Sequence, residues 1–328
     1  MKIKTAIVGL GRIASILEDD TLREKPCTHS AAIVANPDCL LAAGSDTDES
    51  RRALFASRWS VPVYNDAAEM LRVHRPSILV IATYPDSHYH YCKLAASSGV
   101  PTVISEKPLA DTLGDARKIA DLERKGLTII TNHERRYAAD YAEAKEVLSS
   151  GKLGSIVSTR AVLYMGKDKR LLDMFWHDGT HLADALMFLS GGMLKHKRHW
   201  GAKLSAWSGT AWLEGELRKE GSRPIPVLME VGAGRDHLVF EIEFSCTEGR
   251  LKIGNGLFEV WESRESPYAE HFRSLTKTKA NFEGATGYFA NMLADAVACT
   301  RHPERVPLSS GRTGLAVIEY LHSVKAWR

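Results

Sequence analysis

Short runs of β-branched and aliphatic residues alternate with helically spaced apolar positions from residue 4 to about residue 130. Such alternation is typical of strands that are joined by helices in a parallel sheet. Because these crossovers are right-handed, the segment is predicted to form a doubly wound sheet. We predict strands over 5–8, 39–43, 78–82, 102–104 and 127–130, and helices over 66–73, 87–97 and 113–125.

The pattern changes after about residue 132. Residues 239–244 alternate apolar and polar positions, which predicts a sheet with one covered face and one face that is wet or interfacial. We therefore expect two domains, an α/β domain over 1–132 and an α+β domain with a mostly antiparallel sheet over 133–328. The second domain's predicted strands are 156–164, 204–213, 226–231, 237–246 and 250–253, and its predicted helices are 138–148, 180–189, 288–300 and 310–326.

Composition excludes several classes of protein. The chain has 328 residues, which is enough for about two domains. Its 43 Lys and Arg against 40 Asp and Glu form no dense basic stripe, so nucleic acid is not an expected partner. The five cysteines are widely spaced, which predicts neither a disulfide framework nor a zinc site. With no long apolar run and no signal segment, we expect a cytoplasmic protein without a membrane span.

A glycine-rich turn follows the first predicted strand. Gly9-Leu-Gly11-Arg12-Ile13-Ala14 matches the pattern G-x-G-x-x-A. Two glycines at this spacing permit a tight turn and bring a pyrophosphate close to backbone N–H groups at a helix N-terminus. The turn, including Arg12 and Ile13, is therefore predicted to bind a dinucleotide in a Rossmann domain. A turn with no ligand is the alternative.

An acid stands at the end of the second predicted strand. Asp46 is placed to accept hydrogen bonds from the adenosine ribose hydroxyls. The interval from Gly11 exceeds the usual spacing of about 20 residues, which predicts an inserted loop over 18–27. A carboxylate here would repel a 2′-phosphate and so favours NAD over NADP, although Arg51 and Arg52 lie close downstream.

A lysine follows the strand at 102–104, in Glu106-Lys107-Pro108. Ligands of open α/β sheets bind at the carboxyl ends of strands. If burial and a nicotinamide's positive charge lower its pKa, Lys107 can donate or accept a proton. The alternative is a structural ion pair with Glu106 at a turn that Pro108 fixes.

Several motifs occur in order along nearly the whole chain. They are Gly9-x-Gly11, His29, residues 83–85 with His88, Glu106-Lys107-Pro108, Arg136-Tyr137, Gly151-Lys-Leu-Gly154 and Gly179-x-His181-x-x-Asp184. Together they resemble the glucose–fructose oxidoreductase/inositol dehydrogenase (Gfo/Idh/MocA) family of NAD(P)-dependent oxidoreductases. The resemblance implies hydride transfer between NAD and a hydroxyl or carbonyl carbon of a sugar, cyclitol or sugar derivative. It also implies Thr83, His88 and Glu106 near the cofactor, Arg136 near the substrate, and a homodimer or homotetramer.

The resemblance further assigns roles on the helix near residue 180. In the family, a lysine like Lys107 contacts the reacting group, and the histidine of Asp-x-Gly-x-His is the general acid/base. Here the stretch reads His177-Asp178-Gly179-Thr180-His181, so His181 matches while His177 occupies the aspartate position.

Spacing places His177, His181 and Asp184 on one side of a helix. A neutral imidazole suits proton exchange with an alcohol, and His177, Asp178 and Trp176 are candidates for orienting or binding substrate. His177 at a helix entry with no chemical role is the alternative. A third convincing metal ligand is missing, so we predict no metal.

Three basic groups suit a phosphate or carboxylate on the substrate, or are merely solvated loops. They are Arg23 with Lys25, Lys167 with Lys169 and Arg170, and the run 195–199. Two other functions stay open. One is the transient use of NAD to cleave a glycosidic bond. The other is a non-catalytic NAD-binding sensor, which His177 in the aspartate position keeps open.

Overall fold

The computed structural model describes residues 2–167 and 169–326. The chain divides into two compact units. Unit 1 comprises Met1–Ala138 and Ala285–Ile318, and unit 2 comprises Ala139–Gly284 and Glu319–Arg328. The expectation of a single boundary near residue 132 differs from this division, because residues 285–318 return to the first unit.

The first part of unit 1 alternates strands and helices. Its elements are β1 (Ile3–Val8), α1 (His29–Ala35), β2 (Cys39–Ser45), α2 (Glu49–Trp59), β3 (Val63–Tyr64), α3 (Ala67–His74), β4 (Ile78–Ile81), α4 (His88–Ser97), β5 (Thr102–Ser105), α5 (Leu113–Arg124) and β6 (Thr128–Thr131). The six strands form one parallel sheet in the order β3-β2-β1-β4-β5-β6. This order is that of a Rossmann fold, and it reverses direction between β1 and β4. The predicted doubly wound sheet is confirmed.

Unit 2 is built on an eight-stranded sheet. Its elements up to residue 279 are α6 (Ala139–Ser149), β7 (Ile156–Tyr164), α7 (Leu171–His177), α8 (Gly179–Ser190), β8 (Met193–Gly201), β9 (Gly209–Arg218), β10 (Ile225–Ala233), β11 (Val239–Cys246), β12 (Gly249–Gly254), β13 (Leu257–Glu265) and β14 (Arg273–Lys279). The strand order is β14-β13-β12-β11-β7-β10-β9-β8. β7 and β10 run parallel, and the other neighbouring pairs are antiparallel, which confirms the predicted mostly antiparallel sheet.

The predicted strand over 204–213 is wrong in its first half. Residues 202–208 are irregular, with a turn at 204–205, and β9 begins at Gly209. The expected solvated loop over the basic run 195–199 is instead part of strand β8, which contains Lys195, Lys197 and Arg198. β8 is an edge strand, where charged side chains discourage pairing with another chain. Because of these charges, β8 lacks the clear pattern of apolar residues by which a strand is predicted.

Two helices close the chain, α9 (Tyr288–Arg301) and α10 (Gly311–Ala326). Phe289, Met292 and Leu293 of α9 are buried against apolar residues of the parallel sheet. Burying each such side chain contributes about 1.5–3 kcal/mol, so α9 is part of the core of unit 1. Over the described residues, the helices are too short or too polar to traverse a bilayer.

Candidate functional site

The carboxyl ends of the parallel strands bring the predicted cofactor residues to one edge of unit 1. Gly9 follows β1, Asp46 follows β2, and Glu106 follows β5. Thr83 lies two residues beyond β4. Open α/β sheets bind ligands at this edge, at the point where the strand order reverses. That point lies between β1 and β4, beside Gly9 and Thr83.

The two glycines of the turn serve different purposes. Gly9 has φ +86°, and a Cβ at this position would lie 2.6 Å from the carbonyl oxygen of Ala82. Gly11 lies outside the positive-φ region, and a Cβ there would meet no atom within 4 Å. Gly9 is therefore required by the backbone, whereas Gly11 leaves open space above the chain. Such a space allows a pyrophosphate to approach the backbone, so the residues present fit a dinucleotide.

The turn does not lead directly into an α-helix, and this expectation is wrong. Residues 12–15 form turns, and Ile16–Asp19 is a short 3₁₀ helix. The α-helix begins only at His29, whose backbone N–H donates to Ile13 O at 3.2 Å. Ser30 N likewise donates to Ala14 O at 3.0 Å. The inserted loop thus interrupts the helix, and its two ends meet beside the glycine turn.

Hydrogen bonds fix the inserted loop within unit 1. The Glu18 carboxylate accepts from Thr28 Oγ1 at 2.8 Å and from Cys27 N at 3.1 Å. Lys25 Nζ donates to the carbonyl oxygens of Glu18 and Asp20, each at 2.7 Å. These hydrogen bonds therefore hold the loop in one conformation.

The side chains of the turn and of Asp46 face different surroundings. Arg12 is exposed, while Ile13 packs against the core of unit 1. The Asp46 carboxylate is buried and accepts from Leu10 N at 2.8 Å and from Asp48 N at 2.9 Å. These bonds hold the carboxylate beside the turn. Arg51 Nη1 lies 3.7 Å from Asp46 Oδ2.

His88 contacts the backbones of two loops that border the site. Its ring is fully buried, with Nε2 3.1 Å from Thr83 O and Nδ1 3.2 Å from Leu109 O. Burial lowers the pKa of His88, although the two carbonyl oxygens beside its ring nitrogens favour the charged form. The ring thus joins the loop after β4 to the loop after β5. Any role that His88 has toward a cofactor is exerted through these backbones.

A buried polar network lies beneath Lys107. Glu106 Oε1 is 2.8 Å from His29 Nε2 and 2.5 Å from Asn132 Nδ2, and Glu106 Oε2 accepts from Lys107 N at 3.3 Å. His29 packs edge-on against Phe289, with ring centroids 5.0 Å apart. The network therefore fixes the backbone that presents Lys107. The sequence alone did not predict that His29 and Asn132 hold this backbone.

Burial raises the pKa of Glu106, but His29, Asn132 and the charge of Lys107 outweigh it, and the net pKa is lowered from 4.5. The carboxylate's contribution to stability is therefore complete above pH 4.5 and is lost as pH falls through the lowered value.

We expect Glu106→Gln to reduce the unfolding free energy by about 1–3 kcal/mol at pH 7, because a buried charged hydrogen-bond acceptor is lost. The deficit should shrink as pH falls below 4.5 and be smallest below the lowered pKa, where Glu106 is protonated in the folded wild type as well. Urea unfolding of the wild type and the variant, from pH 7 to below pH 4.5, measures the deficit at each pH. Glu123→Gln is the control, since burial raises the pKa of Glu123 and reverses the expected trend. A deficit that is constant with pH would contradict the prediction.

The histidine segment of unit 2 is divided between two helices. α7 ends at His177 and α8 begins at Gly179, so the placement of His177, His181 and Asp184 on one helix is wrong. A Cβ at Gly179 would lie 2.5 Å from Phe175 Cδ2, which explains why glycine stands at this junction. Asp184 is buried, and His181 is half-buried with its Nδ1 inaccessible to solvent.

His177 and Asp178 form a hydrogen-bonded pair at the junction. His177 Nδ1 lies 3.0 Å from Asp178 Oδ1, and Lys169 Nζ lies 3.3 Å from Asp178 Oδ2. The His177 side chain is 57% exposed, against 15% for Asp178. In the part of the chain that the structure describes, no group of three or more His, Cys, Asp or Glu is arranged to hold a metal ion.

The two remaining candidates pack within their own units. Trp176 lies against α10, with its ring centroid 5.1 Å from that of His322 and 5.5 Å from Lys325 Nζ. Arg136 is buried in unit 1 and donates to Leu308 O at 3.1 Å. Both residues therefore have structural contacts.

Most of the basic groups have carboxylate neighbours. Lys169 pairs with Asp178, and Arg170 Nε lies 2.6 Å from Asp173 Oδ2. Other pairs are Arg23–Asp20 at 3.2 Å, Lys197–Glu216 at 2.5 Å and Arg198–Glu214 at 2.7 Å. An anionic ligand would have to compete with these carboxylates.

The strand order and the glycine turn after β1 are those of a dinucleotide-binding Rossmann domain. Residues 3–133 match the model of the Gfo/Idh/MocA family, described as an oxidoreductase family with an NAD-binding Rossmann fold, and this segment belongs to that family. The resemblance inferred from the motifs is thus confirmed, and NAD is confirmed as the family's cofactor.

Named relatives match over parts of the chain. The D-glucoside 3-dehydrogenase of Escherichia coli strain K12 is 25% identical over 206 residues, which covers 58% of this chain and 54% of the relative. An inositol 2-dehydrogenase of Rubrobacter xylanophilus is 32% identical over 126 residues, covering 38% and 36%. The chain thus spans about half or less of the length of these curated relatives.

The likeness of fold extends over the whole chain. A dehydrogenase crystal structure from Chromobacterium violaceum superposes with a TM-score of 0.79 over 99% of this chain and 95% of its own, at 16% identity. At such identity the likeness concerns the fold alone. It includes the second unit, which the family model does not reach.

Proposed function

We propose that the protein is an NAD-dependent oxidoreductase that transfers a hydride between the nicotinamide and a hydroxyl or carbonyl carbon of a sugar, cyclitol or related compound. The observation that carries the proposal is the set of groups at one sheet edge in unit 1. The glycine turn and Asp46 follow the neighbouring strands β1 and β2, and the Glu106–Lys107 segment follows β5, which β4 alone separates from β1. A plain structural turn does not require this combination.

The proposed roles follow from the chemistry of each group. The backbone around Gly11 would hold the pyrophosphate. Asp46 would accept hydrogen bonds from the ribose hydroxyls, and its negative charge would disfavour a 2′-phosphate, which selects NAD over NADP. Bound NAD would supply the hydride acceptor. Lys107 would contact the reacting oxygen, and His181 would exchange a proton as general acid/base.

The substrate class is proposed from two lines of support. The names of the relatives point to glucosides and inositol. The carboxylates beside Lys169, Arg170 and Arg198 partly neutralise these three charges, which favours an uncharged polyol over a phosphorylated or nucleotide-linked one.

The proposal can be tested by a thermal-shift screen with NADH and a panel of glucosides, inositols, other polyols and sugar nucleotides, followed by hydride-transfer assays on the compounds that stabilise. Ligands that bind only the folded state raise its apparent stability. We expect stabilisation by NADH, a smaller effect of NADPH and turnover of at least one uncharged polyol. Stabilisation by sugar nucleotides alone would contradict the proposed substrate class.

We also propose that the chain self-associates through the open face of the eight-stranded sheet. β11 buries Phe240, Ile242 and Phe244 and directs its alternate residues to the other face. That face carries the exposed residues Trp200 and Leu228. The Trp200 ring stacks on the ring of Trp212, with the ring centroids 6.4 Å apart. Aromatic and aliphatic residues among paired charges are typical of two-fold interfaces.

Leu228→Glu should convert an assembled form to single chains, because it buries an unpaired charge in the interface. Light scattering measures the mass. Val34→Glu, at an exposed apolar residue of unit 1, is the matched control and should leave the mass unchanged. A wild-type mass of one chain would contradict the assembly.

A further inference from the structure

Two neighbouring arginines in the first turn of α2 have different surroundings. Arg52 Nη1 donates to two backbone oxygens, Asp46 O at 2.8 Å and Thr47 O at 2.9 Å, and to Asn65 Oδ1 at 3.2 Å. These three acceptors hold the Arg52 guanidinium against the loop that follows β2. Arg52 therefore has a structural role, which the sequence does not distinguish from that of Arg51.

Arg51 lies beside two carboxylates instead. Its Nη1 is 3.7 Å from Asp46 Oδ2, and its Nε is 3.9 Å from Asp48 Oδ2. Both distances are longer than a hydrogen bond, so the guanidinium is attracted by the two charges without being fixed by either. The Arg51 side chain is 44% exposed, whereas that of Asp46 is 7% exposed. Arg51 is thus a cation that a ligand can reach, next to a buried acid.

The position of Asp46 decides what the Arg51 guanidinium can bind. The carboxylate is held by Leu10 N and Asp48 N, and it is the group proposed to accept the ribose hydroxyls. A phosphate on the 2′-hydroxyl would bring a second anion to this carboxylate and compete with it for the guanidinium. A guanidinium binds phosphate well, because its N–H groups match two phosphate oxygens.

We propose that Arg51 is a latent binding residue for the 2′-phosphate of NADP and that the Asp46 carboxylate alone prevents this contact; the inference rests on the function proposed above. With the carboxylate in place, the phosphate is repelled and the charge of Arg51 is partly neutralised. Without it, the guanidinium is available to the phosphate. One side chain thus decides the preference for NAD, and the residue that the opposite preference requires is already present.

The first test leaves Asp46 in place and measures binding of NADH and NADPH, which differ only in the 2′-phosphate. In Arg51→Ala we expect NADPH to bind about tenfold more weakly, the loss for one charged contact, and NADH affinity to stay within about twofold. Arg72→Ala, which removes an exposed arginine of α3, is the matched control and should leave both affinities unchanged. Unchanged NADPH affinity in Arg51→Ala, or an equal loss for both nucleotides, would overturn the role of Arg51.

The second test distinguishes direct contact from a change in the charge of Asp46. Asp46→Ser should bind NADPH at least about tenfold more tightly than the wild type and NADH more weakly. Adding Arg51→Ala should remove the gain for NADPH. Retention of the gain in this double variant would overturn the inference, because no carboxylate then remains at position 46 for Arg51 to neutralise.

The stability of the Asp46 variants needs its own measurement, because the carboxylate accepts two backbone N–H groups. Thermal melts without ligand set a temperature at which each variant is folded. Asp46→Asn keeps the size of the side chain and one acceptor oxygen, and it replaces Asp46→Ser if the serine variant does not fold. It should shift the two affinities in the same directions.

These binding measurements separate the inference from the proposed function. A wild type that binds neither NADH nor NADPH would overturn the proposed function and this inference with it. A wild type that binds NADH, with an NADPH affinity that does not depend on Arg51 in either background, would overturn the inference alone.

Discussion

Replacing Lys107 with alanine should lower turnover by about 10²–10⁴-fold while NADH still binds, because the lysine is proposed to act on the reacting oxygen. Glu106 and its contacts with His29 and Asn132 hold the backbone of this segment, so the loss of one side chain should leave the loop in place. Steady-state kinetics and NADH titration measure the two effects separately. His181→Ala should likewise reduce turnover with NADH binding retained.

Two further substitutions make the Lys107 result specific. Lys107→Arg keeps a positive charge but does not exchange a proton near neutral pH, so it should also be slow. Lys93→Ala removes an exposed lysine of α4 and should have wild-type activity. Unchanged turnover in both Lys107→Ala and His181→Ala would overturn the assignment of these residues.

Substitutions in the glycine turn should also have large effects, and they distinguish what folding requires from what cofactor binding requires. Gly11→Ala should fold as stably as the wild type, since its Cβ meets no atom within 4 Å, yet it should bind NADH at least about tenfold more weakly, or about 1.4 kcal/mol. The methyl group would occupy the space needed for close approach of the pyrophosphate. Gly9→Ala should lose stability as well, by at least about 1–2 kcal/mol for its positive φ. Thermal melts and NADH titrations measure these values.

Gly99→Ala is the matched control for backbone strain. Gly99 has φ +74°, and a Cβ there would meet nothing within 4 Å. This variant should lose stability through its backbone conformation and keep NADH affinity. Wild-type NADH affinity in Gly11→Ala would show that the open space above the turn does not hold the cofactor.

The sequence predicted those parts of unit 1 in which function depends on local order along the chain. Gly9, Asp46 and Lys107 each follow a strand, so alternating elements and a short motif suffice to place them at one sheet edge. His29 and Asn132 could not be connected to Glu106 in this way. They lie 77 and 26 positions from it, and only the packed sheet brings the three side chains together.

Other features escaped prediction because their causes are tertiary. Gly179, at the break between α7 and α8, is required by the close approach of the Phe175 ring, a contact that helical spacing does not reveal. The strand β8 has a basic sequence because it is an edge. α9 belongs to unit 1 because its apolar face covers the parallel sheet, a contact that the order of elements does not predict.

The proposed transfer of a hydride between NAD and an organic substrate can be followed by measuring NADH and oxidised product together, with excess NAD and a polyol from the panel. We expect NADH and product to accumulate in equal amounts. Product without NADH would indicate transient redox in bond cleavage, and tight NADH binding with no transfer across the panel would indicate a sensor. Either result would overturn the assignment of the protein as a dehydrogenase.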